Sequence, residues 1–156
     1  MELDSMFDPK GVAVIGASDE EGKVGNTIMR SMMRDYNGDI FPVNLKDEEV
    51  LGLDAYESVA DINHDVDLAV IAIPARFVPS VIEECGERGI KNAIIVSAGF
   101  SEAGRTDLED ELEEHADNYD MNIIGPNCLG IFNSKNGLDT IFNPPERQAR
   151  PGEGDV

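Results

Sequence analysis

The chain is 156 residues long, is 41% hydrophobic, and carries 32 acidic against 12 basic side chains, for a formal net charge of -20. That length suits one domain with a short tail, and it can bury roughly 68–70% of its unfolded surface without a metal or disulfide. The acidity argues against nucleic acid and anionic membrane as partners, since both are repelled at long range, and so apolar a composition excludes general disorder.

Strand-like and helix-like segments alternate along the chain. Val12-Ala13-Val14-Ile15, closed by Gly16, reads as a buried parallel strand. A polar turn from Ala17 to Lys23 follows, and Val24, Ile28 and Met32 then recur at helical spacing to about Arg34. Asp39 to Val43 is a second, shorter strand. Asp67 to Ile73 is the clearest strand and ends at Pro74, which cannot donate to a ladder. Val78, Val81, Ile82 and Cys85 mark one face of a helix, with Gly89 placed to cap it. Ala93 to Val96 is a further buried strand, ending in Ser97-Ala98-Gly99. Thr106 with Glu109 has the spacing of a capping box, and Leu108, Leu112 and Ala116 form the buried stripe of an acidic helix. Met121 to Ile124 is the last core strand, before Gly125-Pro126-Asn127. This alternation predicts an α/β fold: a Rossmann-like, doubly wound, mostly parallel sheet with helices on both faces. The domain is expected over residues 1–143. Residues 144–156, rich in Pro, Gly, Glu and Arg without periodicity, read as a linker or the truncated start of a following domain.

Cys85 and Cys128 lie far apart without CxxC spacing, which disfavours zinc and disulfides and fits a reducing cytoplasm. Met1-Glu2-Leu3-Asp4 has neither the basic nor the apolar region of a leader, and the longest apolar stretch, Leu68 to Pro74, is too short to cross a bilayer. A cytoplasmic location is expected, with no membrane partner. Acidic residues occur in nearly every polar segment and there are only five lysines. Such a chain is either an ordinary acidic protein or one from a salt-rich, halophilic cytoplasm, where a Debye length of ~3 Å at 1 M salt screens the self-repulsion.

Ligands of open parallel sheets bind beyond the carboxyl ends of the strands. The segments there are Gly16-Ala17-Ser18, Asn44-Leu45-Lys46, Ile73-Pro74-Ala75, Ser97-Ala98-Gly99 and Gly125-Pro126-Asn127-Cys128. The first fails the dinucleotide pattern G-x-G-x-x-G at its second and third glycines. Its later Gly22 and Gly25, around Lys23 at a helix start, still suit a phosphate. At the second strand end an NAD site wants a carboxylate for the ribose; Asn44 and Lys46 favour instead a phosphorylated ribose, as in NADP or coenzyme A. Alternatively Lys46 pairs with Asp47, Glu48 or Glu49 on a solvated turn. His64 and His115 have no partner at metal-ligand or triad spacing, no catalytic or metal-binding motif is visible, and Glu102 is a loop carboxylate within reach of a ligand.

These segments together resemble a known family. Phe7 to Ser18, Gly22-Lys23-Val24-Gly25, Phe41-Pro42-Val43-Asn44 with Lys46, Asp67 to Ala75, Val96 to Phe100 with Glu102, and Gly125 to Gly130 occur in the order found in the N-terminal CoA-binding domain of NDP-forming acyl-CoA synthetases. That group includes ADP-forming acetate–CoA ligases and is related to the succinyl-CoA synthetase α subunit. The resemblance covers residues from about 7 to 142. It implies an enzyme that interconverts acyl-CoA, ADP and phosphate with acid, CoA and ATP through an acyl phosphate and a phosphohistidine. It implies that Gly16, Ala17, Ser18, Lys23, Val24 and Gly25 hold CoA phosphates, and that Asn44 and Lys46 sit at the nucleotide end. Ile73 and Pro74 line the groove, Val96, Ser97 and Ala98 flank the pantetheine arm, and Asn127 and Cys128 lie near the thiol end. Leu45 departs from the proline the family often carries there. The phosphohistidine domain, and the ATP-grasp domain that handles ATP, ADP and Mg, are implied as partners outside this sequence, so the chain reads as an inactive fragment of a ligase whose next domain begins near Gly154-Asp155-Val156. The same domain also opens acetyltransferase fusions and occurs as a stand-alone CoA binder; an NADP-dependent oxidoreductase fragment is the other reading.

Overall fold

The computed structural model describes residues 3–152. In chain order the elements are α1 (Asp4–Phe7), β1 (Gly11–Ile15), α2 (Val24–Asp35), β2 (Asp39–Val43), β3 (Glu49–Val50), β4 (Leu53–Asp54), β5 (Leu68–Ile71), α3 (Val78–Glu87), β6 (Asn92–Ile95), α4 (Thr106–Asn118), β7 (Asn122–Ile124), β8 (Phe132–Asn133) and β9 (Leu138–Asp139). Five strands form one parallel sheet in the order β2-β1-β5-β6-β7, with Ala13 opposite both Phe41 and Ala69. The chain runs outward from β1 to β2, then returns past β1 to β5, so the winding reverses between β1 and β5. This is the Rossmann-like arrangement expected from the alternation.

Strand periodicity divides the core into two layers. Ala13, Ile15, Ala69, Ile71, Ala93 and Ile95 pack with Val78, Ile82 and Cys85 of α3 and Leu108 and Leu112 of α4. Their neighbours Val12, Val14, Leu68, Val70, Ile94 and Val96 turn to the other face and meet Ile28, Met29 and Met32 of α2, with Met6 and Leu138. Because both faces are covered, each central strand is apolar throughout instead of alternating.

Polar side chains close the amino edge of the sheet. The Asp67 carboxylate accepts the amides of Lys10 and Gly11 at 2.8 and 3.3 Å. The buried Asn92 carboxamide donates to Ser5 Oγ and the Asp67 carbonyl and accepts from Asn122.

Local boundaries differ from the sequence expectation in instructive ways. Gly89 caps α3 as expected: its φ is +85°, and the Ile90 amide reaches back 2.9 Å to the Cys85 carbonyl. Thr106 does not cap α4; it lies inside the helix, and no side chain bonds the helix start. The left-handed turn at Gly104 folds the preceding 3-10 turn back over α4, and the Glu109 carboxylate accepts the Ser101 amide at 3.0 Å instead. The β3–β4 hairpin was not anticipated. Its two-residue turn puts both Leu51 and Gly52 at positive φ, 50° and 81°, and leucine carries no signal for that conformation. Residues 143–152 form no helix or strand, yet Arg150 is pinned: its guanidinium meets the buried Asp139 carboxylate at 2.7 Å and donates to the carbonyls of Asn143 and Gln148. Gly154, Asp155 and Val156 lie outside the described residues.

A Cβ at Gly25 would stand 1.8 Å from the Gly16 carbonyl oxygen, so the start of α2 sits directly on the turn after β1. Gly25→Ala is therefore expected to cost about 2–3 kcal/mol by overpacking against backbone, read as a lower urea midpoint at unchanged slope. Unchanged stability would mean that α2 does not approach this closely.

Candidate functional site

The carboxyl ends of β1, β2 and β5 open into a cleft of about 1160 Å³ at the point where the winding reverses. Its floor is the turn Gly16-Ala17-Ser18. Gly16, at φ +93°, lies so close to the Ala72 carbonyl that a Cβ would stand 2.2 Å from that oxygen. Ser18 accepts the Glu20 amide on its hydroxyl and the Asn26 side-chain amide on its carbonyl, which fixes the turn against α2. No side chain caps α2, so the amides of its first turn are available to an anion.

Asn44 joins two of the strand ends. Its carboxamide donates to the Ala17 carbonyl at 2.8 Å and accepts the amides of Lys46 and Asp47 at 2.8 and 3.1 Å. Those bonds set the turn that carries Lys46. Among the described residues the Lys46 ammonium makes no ion pair, so the alternative pairing with Asp47, Glu48 or Glu49 is not formed. Lys23 is engaged, 2.6 Å from Glu20 on an exposed turn. The remaining wall is apolar: Ile73, Pro74, Val81 and the half-exposed Phe77, with Arg76 stacked 4.5 Å above the Phe77 ring. Asp19, Glu20, Asp47, Glu57 and Glu84 also line the cleft, giving five carboxylates against Lys23 and Lys46. Glu84 accepts the Ser58 hydroxyl at 2.9 Å.

Of the residues singled out from sequence, Gly16, Ala17, Ser18, Lys23, Asn44, Lys46, Ile73 and Pro74 line this one cleft. Gly25 supports it from behind. Val24 faces a different cavity. Val96, Ser97, Ala98, Asn127 and Cys128 lie beyond the cleft at the ends of β6 and β7, joined to it through one contact: the Ser97 hydroxyl accepts the Ile73 amide at 3.1 Å. Ser97 also ties the two later strands, its carbonyl accepting the Asn127 amide at 2.9 Å. Cys128 directs its thiol at the Ile95 carbonyl, 3.3 Å away, and burial raises its pKa, so it is held as a neutral thiol. Cys85 is fully buried and pushed up to about 12 by desolvation.

Neither histidine lines the cleft. His64 stacks on Phe41 with ring centroids 5.3 Å apart, and His115 lies between α3 and α4 with Glu83 and Glu111 each 3.9 Å from one ring nitrogen. Among the described residues there is no group of three or more His, Cys, Asp or Glu placed to hold a metal ion, and no helix is long and apolar enough to cross a membrane. Sequence reading missed the α3 wall, Phe77 to Glu84, and Glu57-Ser58. Phe77 carried a usable signal, a large apolar residue just after a strand end; Glu57, Ser58 and Glu84 reach the cleft only through long-range packing.

Glu102 is not free for a ligand. Its carboxylate accepts the amides of Gly99 and Phe100, closing the loop after β6, and the Gly99 bond is the main cause that holds its pKa below the ordinary value of 4.5. A carboxyl favoured as the anion in the fold stabilises it above its unfolded pKa, and loses that effect as pH falls through the lowered folded value. Glu102→Gln should therefore melt lower than the parent at neutral pH, with the gap closing below about pH 4.5. A gap independent of pH would show that the charge is not what closes the loop.

Comparison with known proteins matches this chain to one group. A family model described as a CoA binding domain matches residues 10–134. The ADP-forming acetate–CoA ligase of Methanocaldococcus jannaschii is 50% identical over 141 residues, which cover 90% of this chain and 20% of that protein. The α subunit of ADP-forming acetate–CoA ligase II from Pyrococcus furiosus is 45% identical over 142 residues, covering 90% of this chain and 31% of the subunit. Among solved structures, the apo form of dinucleotide-forming acetyl-coenzyme A synthetase 1 from Ca. Korarchaeum cryptofilum superposes with a TM-score of 0.87 at 36% identity, covering 92% of this chain and 31% of that one. The chain thus spans from a fifth to a third of the length of these proteins.

Proposed function

The chain belongs to the CoA-binding domain family, and from that premise we propose that it is the CoA-binding part of an ADP-forming acyl-CoA ligase, most similar in kind to the acetate–CoA ligases. In the reaction so proposed, acyl-CoA, ADP and phosphate are interconverted with the free acid, CoA and ATP. ATP, ADP and Mg, with the ATP-grasp partner that handles them, belong to parts of the ligase outside this sequence. The family match and the cleft together support a ligand that is long, phosphorylated at one end and apolar along its length.

The observation that carries this reading is the unpaired Lys46, set by Asn44 at the end of β2 across from the uncapped start of α2. The cleft volume, at the top of the usual ~300–1,000 Å³ range, suits a ligand as large as CoA. The Gly16–Ser18 turn and the first amides of α2 would hold the pyrophosphate, and Lys23 would join them by leaving Glu20. Lys46 would meet the 3′-phosphate of the ribose. Ile73, Pro74 and Phe77 would cover the apolar portion, leading the pantetheine arm toward Val96, Ser97, Ala98, Asn127 and Cys128. CoA itself supplies the reacting thiol; the neutral, partly buried Cys128 acts here as packing and not as a nucleophile. Residues from about 144 would connect this domain to the rest of the ligase.

Five carboxylates facing two lysines make the cleft repulsive to phosphate in dilute solution. The reading therefore includes a salt-rich working environment in a cytoplasm, where counterions screen that repulsion more than they screen a bonded lysine.

Titration of CoA and dephospho-CoA into the parent chain and Lys46→Ala tests this. Lys46→Ala is expected to lose CoA affinity on the order of tenfold, with little loss for dephospho-CoA, the size of one charge-assisted bond. In the parent, stability and CoA binding should both improve from dilute buffer to molar KCl. Equal losses for the two ligands would move Lys46 off the 3′-phosphate; greatest stability in dilute buffer would remove the salt-rich setting.

A further inference from the structure

A second cavity, about 660 Å³, lies between α2 and residues 142–147, and its wall is chemically unlike that of the sheet-edge cleft. Thr27, Arg30, Ser31 and Arg34 line it, at i, i+3, i+4 and i+7 of α2, so one helix face presents two guanidiniums a single turn apart with hydroxyls beside them. Arg147 faces the same space from the tail.

Three observations point to an anion. The first is the Ser31 side chain, which is 3% exposed and makes no hydrogen bond among the described residues, although it lines the cavity. A buried hydroxyl is seldom left without a partner. The second is charge. Arg30, Arg34 and Arg147 face Glu21 and Glu146, a local excess of one positive charge in a chain of net charge -20. The third is incomplete pairing. Arg30 gives its Nε to Asn26 at 3.1 Å but stands 3.9 Å from Glu21, and Arg34 stands 3.7 Å from Asp139 while touching the exposed Asp35 at 3.2 Å. Among the described residues Arg147 has no ion pair.

We propose that this cavity binds a small phosphate-bearing molecule, its phosphoryl oxygens taken by Arg30, Arg34, Arg147 and the Ser31 hydroxyl. Planar guanidiniums match phosphate in two-pronged geometry, which a lysine cannot do, and this cavity contains no lysine. The volume exceeds what inorganic phosphate needs, and Phe142 and Pro144 offer an apolar wall for an organic portion of nucleotide size. The site is distinct from the proposed CoA cleft and does not depend on it.

Residue-resolved amide NMR of the chain in chloride buffer, titrated in separate arms with inorganic phosphate and with ADP, locates any binding. ADP is expected to shift amides over residues 27–34 and near Arg147. The double variant Arg30→Gln with Arg147→Gln should weaken binding at those amides on the order of tenfold, and Ser31→Ala by less, with the remaining spectrum unchanged as proof of folding. Inorganic phosphate as tight as ADP would keep the oxyanion site and overturn the role of the Phe142 wall. Shifts confined to residues 16–23 and 44–47, no shift with either probe, or undiminished binding in the double variant would each overturn the proposal.

Discussion

Everything at the carboxyl edge depends on one close contact: α2 starts directly against the turn that ends β1. Gly25 seats on the Gly16 carbonyl, and Gly16 in turn seats on the Ala72 carbonyl at the end of β5. Three backbones converge where a side chain on either glycine would force them apart. The contact does the work that the third glycine of a dinucleotide fingerprint does, close packing of helix on strand, although the spacing differs. It brings the helix amides, the β1 turn and the β5 end into one cleft.

The two edges of the sheet are finished differently. At the amino edge, Asp67, Asn92 and Asn122 satisfy backbone groups and one another, and little is left to bind anything. At the carboxyl edge, Asn44 and Ser97 tie adjacent strand ends together but leave the amides of α2 and the Lys46 ammonium open. An acidic surface then makes each unpaired cation count for more. Glu20 shows the same tension, holding Lys23 at 2.6 Å in the absence of an anion.

Much of the fold was legible because both sheet faces are covered. Continuous Val and Ile runs such as Val12–Ile15 and Leu68–Ile71 permit little but buried parallel strands, and the apolar spacing of α2, α3 and α4 follows from what lies beneath them. Position along the chain also placed the sheet-edge turns correctly, since strand ends of a parallel sheet share one edge. What escaped was set by packing between distant segments. The Leu51-Gly52 turn requires a left-handed leucine; the capping box at Thr106 was displaced by a loop folding back; and the Ser58–Glu84 wall joins residues 26 apart in sequence. Glu102 read as an open acceptor because a sequence does not show that the amides of Gly99 and Phe100 lie beneath it.

The central claim is that this cleft, lacking the dinucleotide glycines and carrying Lys46, is built for CoA. Calorimetric titration of CoA and NADP into the same chain in molar KCl tests it most directly, because both ligands carry a phosphorylated ribose and only the rest of each molecule differs. CoA is expected to bind and NADP not measurably; tighter binding of NADP would contradict the account.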